Sequence, residues 1–236
     1  MGLTNQTPSQ TVQHIFDNIA GNYDVMNNVI SLGFHKRWRR VVNAKLALQP
    51  GDHILDVCCG TGVWTFSLGQ AVGASGQVTG LDFSTGMLRI AEDHLKTYQG
   101  DNINFIQGDA QKLPFADNSF DRVVIGFGLR NVPDANKVLA EMYRVLKPGG
   151  QAACLETSQP TNLIMHAGWE LYFGKVLPLL GGAIHHYHEY NYLQQSTHHF
   201  VSAEVLKSLF LRAGFDDVSY DQFVAGSAAV HYGTKS

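Results

Sequence analysis

The order of hydrophobic and polar positions changes period along the chain, and the changes mark its elements. Residues 11–47 read as helical. Ile15, Phe16 and Ile19 fall on one face of a first helix, and a second amphipathic helix runs from about His35 to Leu48. Pro50 and Gly51 break that run. Short apolar stretches then alternate with helical ones. His53–Cys58 (HILDVC), Gln77–Asp82 (QVTGLD), Ile103–Gln107, Arg122–Phe127 (RVVIGF) and Gln151–Glu156 (QAACLE) are the expected strands. Val63–Val72, Ser84–Tyr98 and Asp134–Leu146 are the expected helices, the last of them stopped by LKPGG. Strands alternating with helices across short loops build a parallel sheet with right-handed crossovers.

The segment Asn162–His199 departs from this pattern. It is rich in aromatics and histidine, reads as helical, and is expected to cover the site as an insertion. A helix over Ala203–Ala213, stopped by Gly214, precedes two closing strands, Asp217–Phe223 and Ser227–Tyr232. The short turn at Ala225 and Gly226 makes these two an antiparallel hairpin. The expected fold is α/β and Rossmann-like, with a seven-stranded, mostly parallel sheet whose last strand is antiparallel. A dinucleotide dehydrogenase would instead continue with parallel units. The organisation expected is one domain: a helical lid over 1–50, a core over 51–160, the covering insertion over 161–200, and a closing helix and hairpin over 201–236.

Composition narrows the function. The 236 residues are 44% hydrophobic and 16% charged, an ordinary globular balance. Formal net charge is −3, and Lys36, Arg37, Arg39 and Arg40 form the one basic cluster, so the broad basic face of a nucleic-acid binder is missing. The three cysteines, Cys58, Cys59 and Cys154, make a poor disulfide framework and suit a reducing cytosol. The N-terminal stretch lacks the pattern of a signal peptide. The apolar stretch Leu163–Ile184 is interrupted by His166, Glu170 and Lys175, which argues against a membrane span.

The chemistry concentrates at strand ends. LDVCCGTG, Leu55–Gly62, sits where the first strand turns into a helix, and Gly60 and Gly62 leave room for a polar ligand group to approach free N–H groups. Asp82 closes the second strand. Its carboxylate can accept from both hydroxyls of a ribose, or it can simply cap the helix that follows. These two features serve NAD and S-adenosylmethionine alike. Gly108-Asp109-Ala110 closes the third strand. An acid there can accept from an adenine amino group while the next N–H donates to the ring, a pairing found in methyltransferases more than dehydrogenases. IGFGLRN, Ile125–Asn131, closes the fourth strand, with Gly126 and Gly128 clearing space and Arg130 as a fixed cation. The Asn/Asp-Pro-Pro-aromatic loop of enzymes that methylate base nitrogens is absent.

With these motifs in place, the chain resembles the menaquinone/ubiquinone C-methyltransferase family from about Val12 to Lys235. YDVMNNVISLGFHKRW (Tyr23–Trp38) and RVLKPGGQAACLETS (Arg144–Ser158) are the specific stretches, and IGFGLRNVPD and GSAAVHYGTK also match. The resemblance implies a class I S-adenosylmethionine-dependent methyltransferase. It carries over Thr61, Asp82, Asp109 and Ala110 as cofactor contacts. Asp56, Gly60, Gly62, Phe83 and Gly126 complete the expected cofactor set. Ubiquinone-type relatives often have Ser at the position of Gly126. LETSQP and DVCCGTGVW are closer to menaquinone-only members, which favours demethylmenaquinol over a methoxy-benzoquinol of the ubiquinone pathway. The other readings are a methyltransferase acting on another small molecule, a non-catalytic S-adenosylmethionine-binding protein and an NAD dehydrogenase.

A sulfonium methyl is already activated, so the acceptor must be an electron-rich carbon such as that of a quinol, more so as its phenolate. Arg130 is the candidate for stabilising that charge. It cannot be a base, so a water or a histidine would take the proton. Tyr23 and His35, in the N-terminal signature beside Asp24 and Asn27, are the other catalytic candidates. The histidines at 185, 186, 188, 198 and 199 fit no standard zinc spacing, and no metal is expected. Trp169, Leu171, Tyr172, Phe173, Val176 and Leu177 read as core packing and as a groove for a prenyl tail. The expected partner is a polyprenylated quinol, met through transient contact with the membrane surface from the cytoplasmic side. A homodimer is compatible with the sequence, and nucleic acid is not an expected partner.

Overall fold

The computed structural model of the chain describes residues 5, 7–160, 162, 165, 167, 168, 170 and 187–236, with the backbone alone described at 187–191 and 193. Seven strands form a single sheet in the order β3-β2-β1-β4-β5-β7-β6. They are β1 (His53–Val57), β2 (Gln77–Asp82), β3 (Ile103–Gln107), β4 (Phe120–Gly126), β5 (Leu146–Thr157), β6 (Asp216–Phe223) and β7 (Ala228–Thr234). All pairings from β3 to β5 are parallel, and β7 runs antiparallel to both β5 and β6. β6 therefore points the same way as β1–β5. The strand order reverses between β1 and β4, and a crevice opens there beyond the carboxyl ends.

The helices cover both faces. α4 (Val63–Val72), α5 (Thr85–Leu95) and α6 (Ala135–Val145) are the crossovers, and α8 (Ala203–Arg212) leads into the hairpin. Leu55, Val57, Val123 and Ile125 point toward Leu139, Met142, Leu206 and Phe210 on one side. Ile54, Val78 and Val124 point toward Trp38, Val42, Trp64 and Leu68 on the other. This is the period-two alternation of strands buried on both faces. Asp56 lies between Leu55 and Val57 and so faces the Trp64 side, where it is buried.

Several element ends differ from the sequence reading. The N-terminal helical run is broken into α1 (Ser9–Ile19), a short 3-10 turn (Ala20–Asn22), α2 (Tyr23–Ile30) and α3 (Phe34–Lys45). The second break falls at Leu32 and Gly33, both in the left-handed region, where a glycine is at no disadvantage. The expected start of α6 at Asp134 is its cap, since that carboxylate accepts from the Asn136 and Lys137 N–H groups. β5 begins at Leu146, five residues before the expected Gln151. The Gly149-Gly150 step does not end the element because its backbone pairs with Lys235 (Gly149 N–H to Lys235 O, 2.7 Å; Lys235 N–H to Gly150 O, 3.0 Å). A further helix, α7 (Tyr187–His199), falls within the segment expected to cover the site. The expected prenyl groove over Leu163–Ile184 and the histidines at 185 and 186 fall largely or wholly outside the described residues, as does the side chain of His188. Among the described residues, no helix is long and apolar enough to cross a membrane.

Candidate active site

Cys58 follows β1 in a left-handed conformation (φ 55°), and Gly60 and Gly62 adopt the same region (φ 57° and 79°), so the chain doubles back tightly into α4. The loop after β4 packs against this turn so closely that a Cβ on Gly128 would stand 2.5 Å from the Cβ of Cys58. Only glycine lets the two loops pass. The walls they form with the ends of β2 and β3 border roughly 890 Å3 of empty space, open solvent at the mouth included. Gly60, Asp82, Phe83, Gly108, Asp109 and Ala110 line one side; Gly126, Phe127 and Gly128 line another. Tyr23, Phe16 and Val12 close it from the N-terminal helices.

Asp82 is the organising acid. Its Oδ2 accepts the Gly60 N–H at 2.8 Å, and its Oδ1 accepts the Ser84 N–H at 2.9 Å, so one carboxylate ties the β1 turn to the β2 tip. Each oxygen retains a lone pair for a further donor. Burial raises its carboxyl to about 6, although the Ser84 and Gly60 N–H groups pull the other way. Asp82 is not the cap of the following helix. Ser84 is, with its Oγ accepting the Met87 N–H. Asp109 is exposed at the rim, where its Oδ1 accepts the Gln111 N–H at 2.9 Å, and Ala110 is buried beside it.

Thr61 and Gly62 are buried behind the turn and do not form the pocket wall. The Thr61 hydroxyl donates to Asp24 Oδ1 at 2.7 Å, joining the glycine turn to α2. Asp56 stands deeper and accepts from the Thr65 hydroxyl at 2.7 Å. Burial lifts its carboxyl to about 7, against the pull of Thr65 and the Arg39 charge. Gly126 lies on the wall, and a Cβ there would press on the Trp64 ring at 2.8 Å.

The three residues expected to act on the substrate are placed differently. Tyr23 reaches the pocket, and burial raises its phenol, opposed by a hydrogen bond from Asn27 and by the charges of Arg130 and Arg39. Arg130 sits behind the wall in an ion pair with Glu156. Its Nη1 donates to Glu156 Oε1 at 2.5 Å and to the Phe127 carbonyl at 2.8 Å, while its buried Nε has no partner among the described residues. His35 is buried on α3, off the pocket wall. Its Nδ1 lies 2.9 Å from Arg39 Nη1 and its Nε2 lies 3.0 Å from Asn28 Oδ1. A guanidinium can only donate, so Nδ1 accepts and Nε2 carries the proton. Burial, with the charges of Arg39 and Lys36, lowers His35 to about 4.

Sequence reasoning passed over three members of this region. Glu156, the last acid of β5, neutralises Arg130. Its position at a strand end was a usable signal. Arg39 is buried between the Trp64 and Phe127 rings at 6.0 and 5.9 Å. Tyr192 on α7 joins the lid to the β4 loop: its hydroxyl donates to Asn131 Oδ1 at 3.1 Å and accepts from Asn5 Nδ2 at 2.7 Å. α1 is clamped over the β2 tip in turn, because Asp17 Oδ1 accepts from the Ser84 hydroxyl (2.6 Å) and the Gly86 N–H (2.9 Å). Burial holds the Cys58, Cys59 and Cys154 thiols well above the ordinary thiol value, which disfavours the thiolate form.

Residues 4–235 match the model of the ubiE/COQ5 methyltransferase family. A demethylmenaquinone methyltransferase from Lactiplantibacillus plantarum is 50% identical over 95% of this chain and 95% of its own length. One from Staphylococcus epidermidis is 50% identical over 98% of this chain and 95% of its own. Among solved structures, a SAM-dependent methyltransferase from Thermotoga maritima superposes with a TM-score of 0.69 at 21% identity, covering 95% of this chain and all (100%) of that one. The [4+2]-cyclase SpnF gives 0.71 at 18% identity, covering 97% of each. Two structures named for such different reactions show the fold alone.

Proposed function

The chain belongs to the ubiE/COQ5 methyltransferase family, and from that membership we propose that it transfers a methyl group from S-adenosylmethionine to the ring carbon of demethylmenaquinol, giving menaquinol. The observation that carries this reading is half identity, sustained over nearly the whole of both chains, with relatives that bear that name. The donor set fits the cofactor. Asp82 would offer a lone pair on each oxygen to the ribose hydroxyls, Asp109 and Ala110 on the same wall would serve the adenine, and the left-handed Gly60, its N–H held by Asp82, leaves room beside the turn for the amino-acid end. Asp56, Thr61 and Gly62 support that turn from behind, and Phe83 and Gly126 complete the walls. Bound there, S-adenosylmethionine supplies a sulfonium-activated methyl group.

The chain's own residues then position and charge-stabilise the acceptor. Tyr23 reaches the pocket that the quinol ring would enter, and Arg130, buried behind the wall, would act on a developing phenolate through its charge. Glu156 fixes the orientation of that guanidinium. His35 enters as the holder of Arg39, its accepting nitrogen being occupied, and water takes the ring proton. Holding the ring carbon in line with the methyl contributes roughly 7–11 kcal/mol in such reactions. A prenylated quinol resides in a bilayer, so the protein works in transient contact with the cytoplasmic membrane surface.

Purified protein incubated with methyl-labelled S-adenosylmethionine and demethylmenaquinol is expected to yield labelled menaquinol. A methoxy-benzoquinol of the ubiquinone pathway serves as the competing acceptor. Transfer to that acceptor alone, or to neither quinol, overturns the assignment.

A further inference from the structure

Two turns on one edge of the sheet present aliphatic side chains to solvent in conformations that oppose them. Leu32, between α2 and α3, is 71% exposed at φ 50°, and Val224, between β6 and β7, is 52% exposed at φ 45°. A left-handed backbone is unfavourable for a leucine and more so for a β-branched valine. Neither side chain recovers that cost by burial. Backbone strain of this kind clusters at functional sites.

The two turns are one surface. Phe34, beside Leu32, stacks on Trp38 (centroids 6.3 Å apart, planes at 14°), and Trp38 stacks on Phe223, beside Val224 (5.6 Å, 14°). Trp38 also meets Phe127 of the pocket wall at 6.4 Å. Because β6 runs in the direction of β1–β5, its Val224 end lies on the sheet edge where the pocket opens. Charge completes the picture. Lys36, Arg37 and Arg40 are exposed on the first turns of α3, and no acidic residue occurs between Asp24 and Asp52. None of the three is ion-paired with a carboxylate among the described residues. A chain with a net charge of −3 thus places three exposed cations on α3, next in the chain to Leu32 and Phe34.

We propose that this edge docks on the surface of an anionic phospholipid bilayer, with Leu32, Phe34 and Val224 entering the headgroup boundary and Lys36, Arg37 and Arg40 meeting the lipid phosphates. Apolar tips accompanied by cations match that interface, in which neither element suffices alone. The inference deepens the membrane contact in the proposed function by naming its face. Vesicle binding is measured without methyl transfer, so either reading can fail while the other stands.

The test is cosedimentation of the full chain with vesicles of phosphatidylcholine alone or mixed with phosphatidylglycerol. The protein is expected to sediment with the anionic vesicles and to be released by salt. L32N/V224N suits the test because asparagine tolerates the left-handed region. This variant should melt no lower than the parent yet bind anionic vesicles about tenfold more weakly. K36Q/R37Q/R40Q should lose the preference for phosphatidylglycerol. Equal binding by L32N/V224N overturns the proposal, as does no binding by the parent chain. Sedimentation velocity covers the rival occupant. If L32N/V224N instead dissociates a dimer and vesicles are not bound, the edge is a contact between copies and the proposal fails.

Discussion

Glu156 closes β5 and holds Arg130 from two sides, accepting the guanidinium Nη1 at 2.5 Å and the Arg130 backbone N–H at 3.2 Å. The pair is almost wholly buried, with 7% and 1% of the two side chains exposed. Burial works against the guanidinium charge, but Glu156 outweighs it and holds the Arg130 proton more firmly than usual.

Removing one partner therefore strands a buried charge. Glu156→Ala is expected to lower stability by about 3–5 kcal/mol, read from urea unfolding. The double variant R130M/E156L should recover most of that loss while remaining unable to turn over, which separates the structural role of the pair from its charge. Arg130→Ala should keep its affinity for S-adenosylhomocysteine in titration calorimetry and lose turnover. Unchanged turnover would clear Arg130 of a part in the reaction.

Asp82 titrates within reach of experiment. Its folded value of about 6 lies above the ordinary carboxylate value of 3.8, and the ionised form is the better acceptor for ribose hydroxyls. Affinity for S-adenosylhomocysteine should thus fall as pH drops through about 6, when calorimetry is run between about pH 8 and about pH 5. In Asp82→Asn, an amide NH2 must face the N–H of either Gly60 or Ser84, donor against donor. That variant should bind weakly throughout, without the pH dependence.

His35 offers a second titration of opposite sense. Its folded value of about 4 lies below the usual 6.5, so its contribution to stability is present above about pH 6.5 and is lost as pH falls through about 4. Nitrogen-detected NMR should show a neutral ring protonated on Nε2 down to near that pH. His35→Phe should flatten the acid limb of the stability profile. An imidazole that charges near its usual value would contradict the buried, Arg39-facing arrangement.

Gly126 tests the wall against the Trp64 ring. A methyl there would stand 2.8 Å from ring carbon Cε3, closer than packed atoms tolerate. Gly126→Ala is expected to cost about 1–3 kcal/mol as overpacking, and to shift tryptophan fluorescence as the indole moves. If stability and spectrum stay unchanged, Trp64 has room that the packing does not suggest.

Much of this was legible in the chain because the signals are local. Five apolar runs at strand length gave β1–β5, and Gly60 and the acids at 82 and 109 were legible as strand-end residues that the structure gathers around one pocket. The ends of elements were less legible. Nothing near Gly149 and Gly150 announces that they continue β5, since their partner is Lys235, at the far end of the chain. The expected helix start at Ser84 proved to be its cap, and the cap reading of Asp82 gave way to its bonds with the Gly60 and Ser84 N–H groups.

The sequence by itself determined the alternation of strands and helices, the sheet class, and the polar residue types at the strand tips, because periodicity and turn chemistry act between neighbours. Only the tertiary structure decided which of those residues meet. Parallel pairing of β4 with β5 sets Glu156 beneath Arg130, and α3 packing on the sheet buries His35 and Arg39 together. Contacts across such separations follow from packing geometry, which no local pattern encodes.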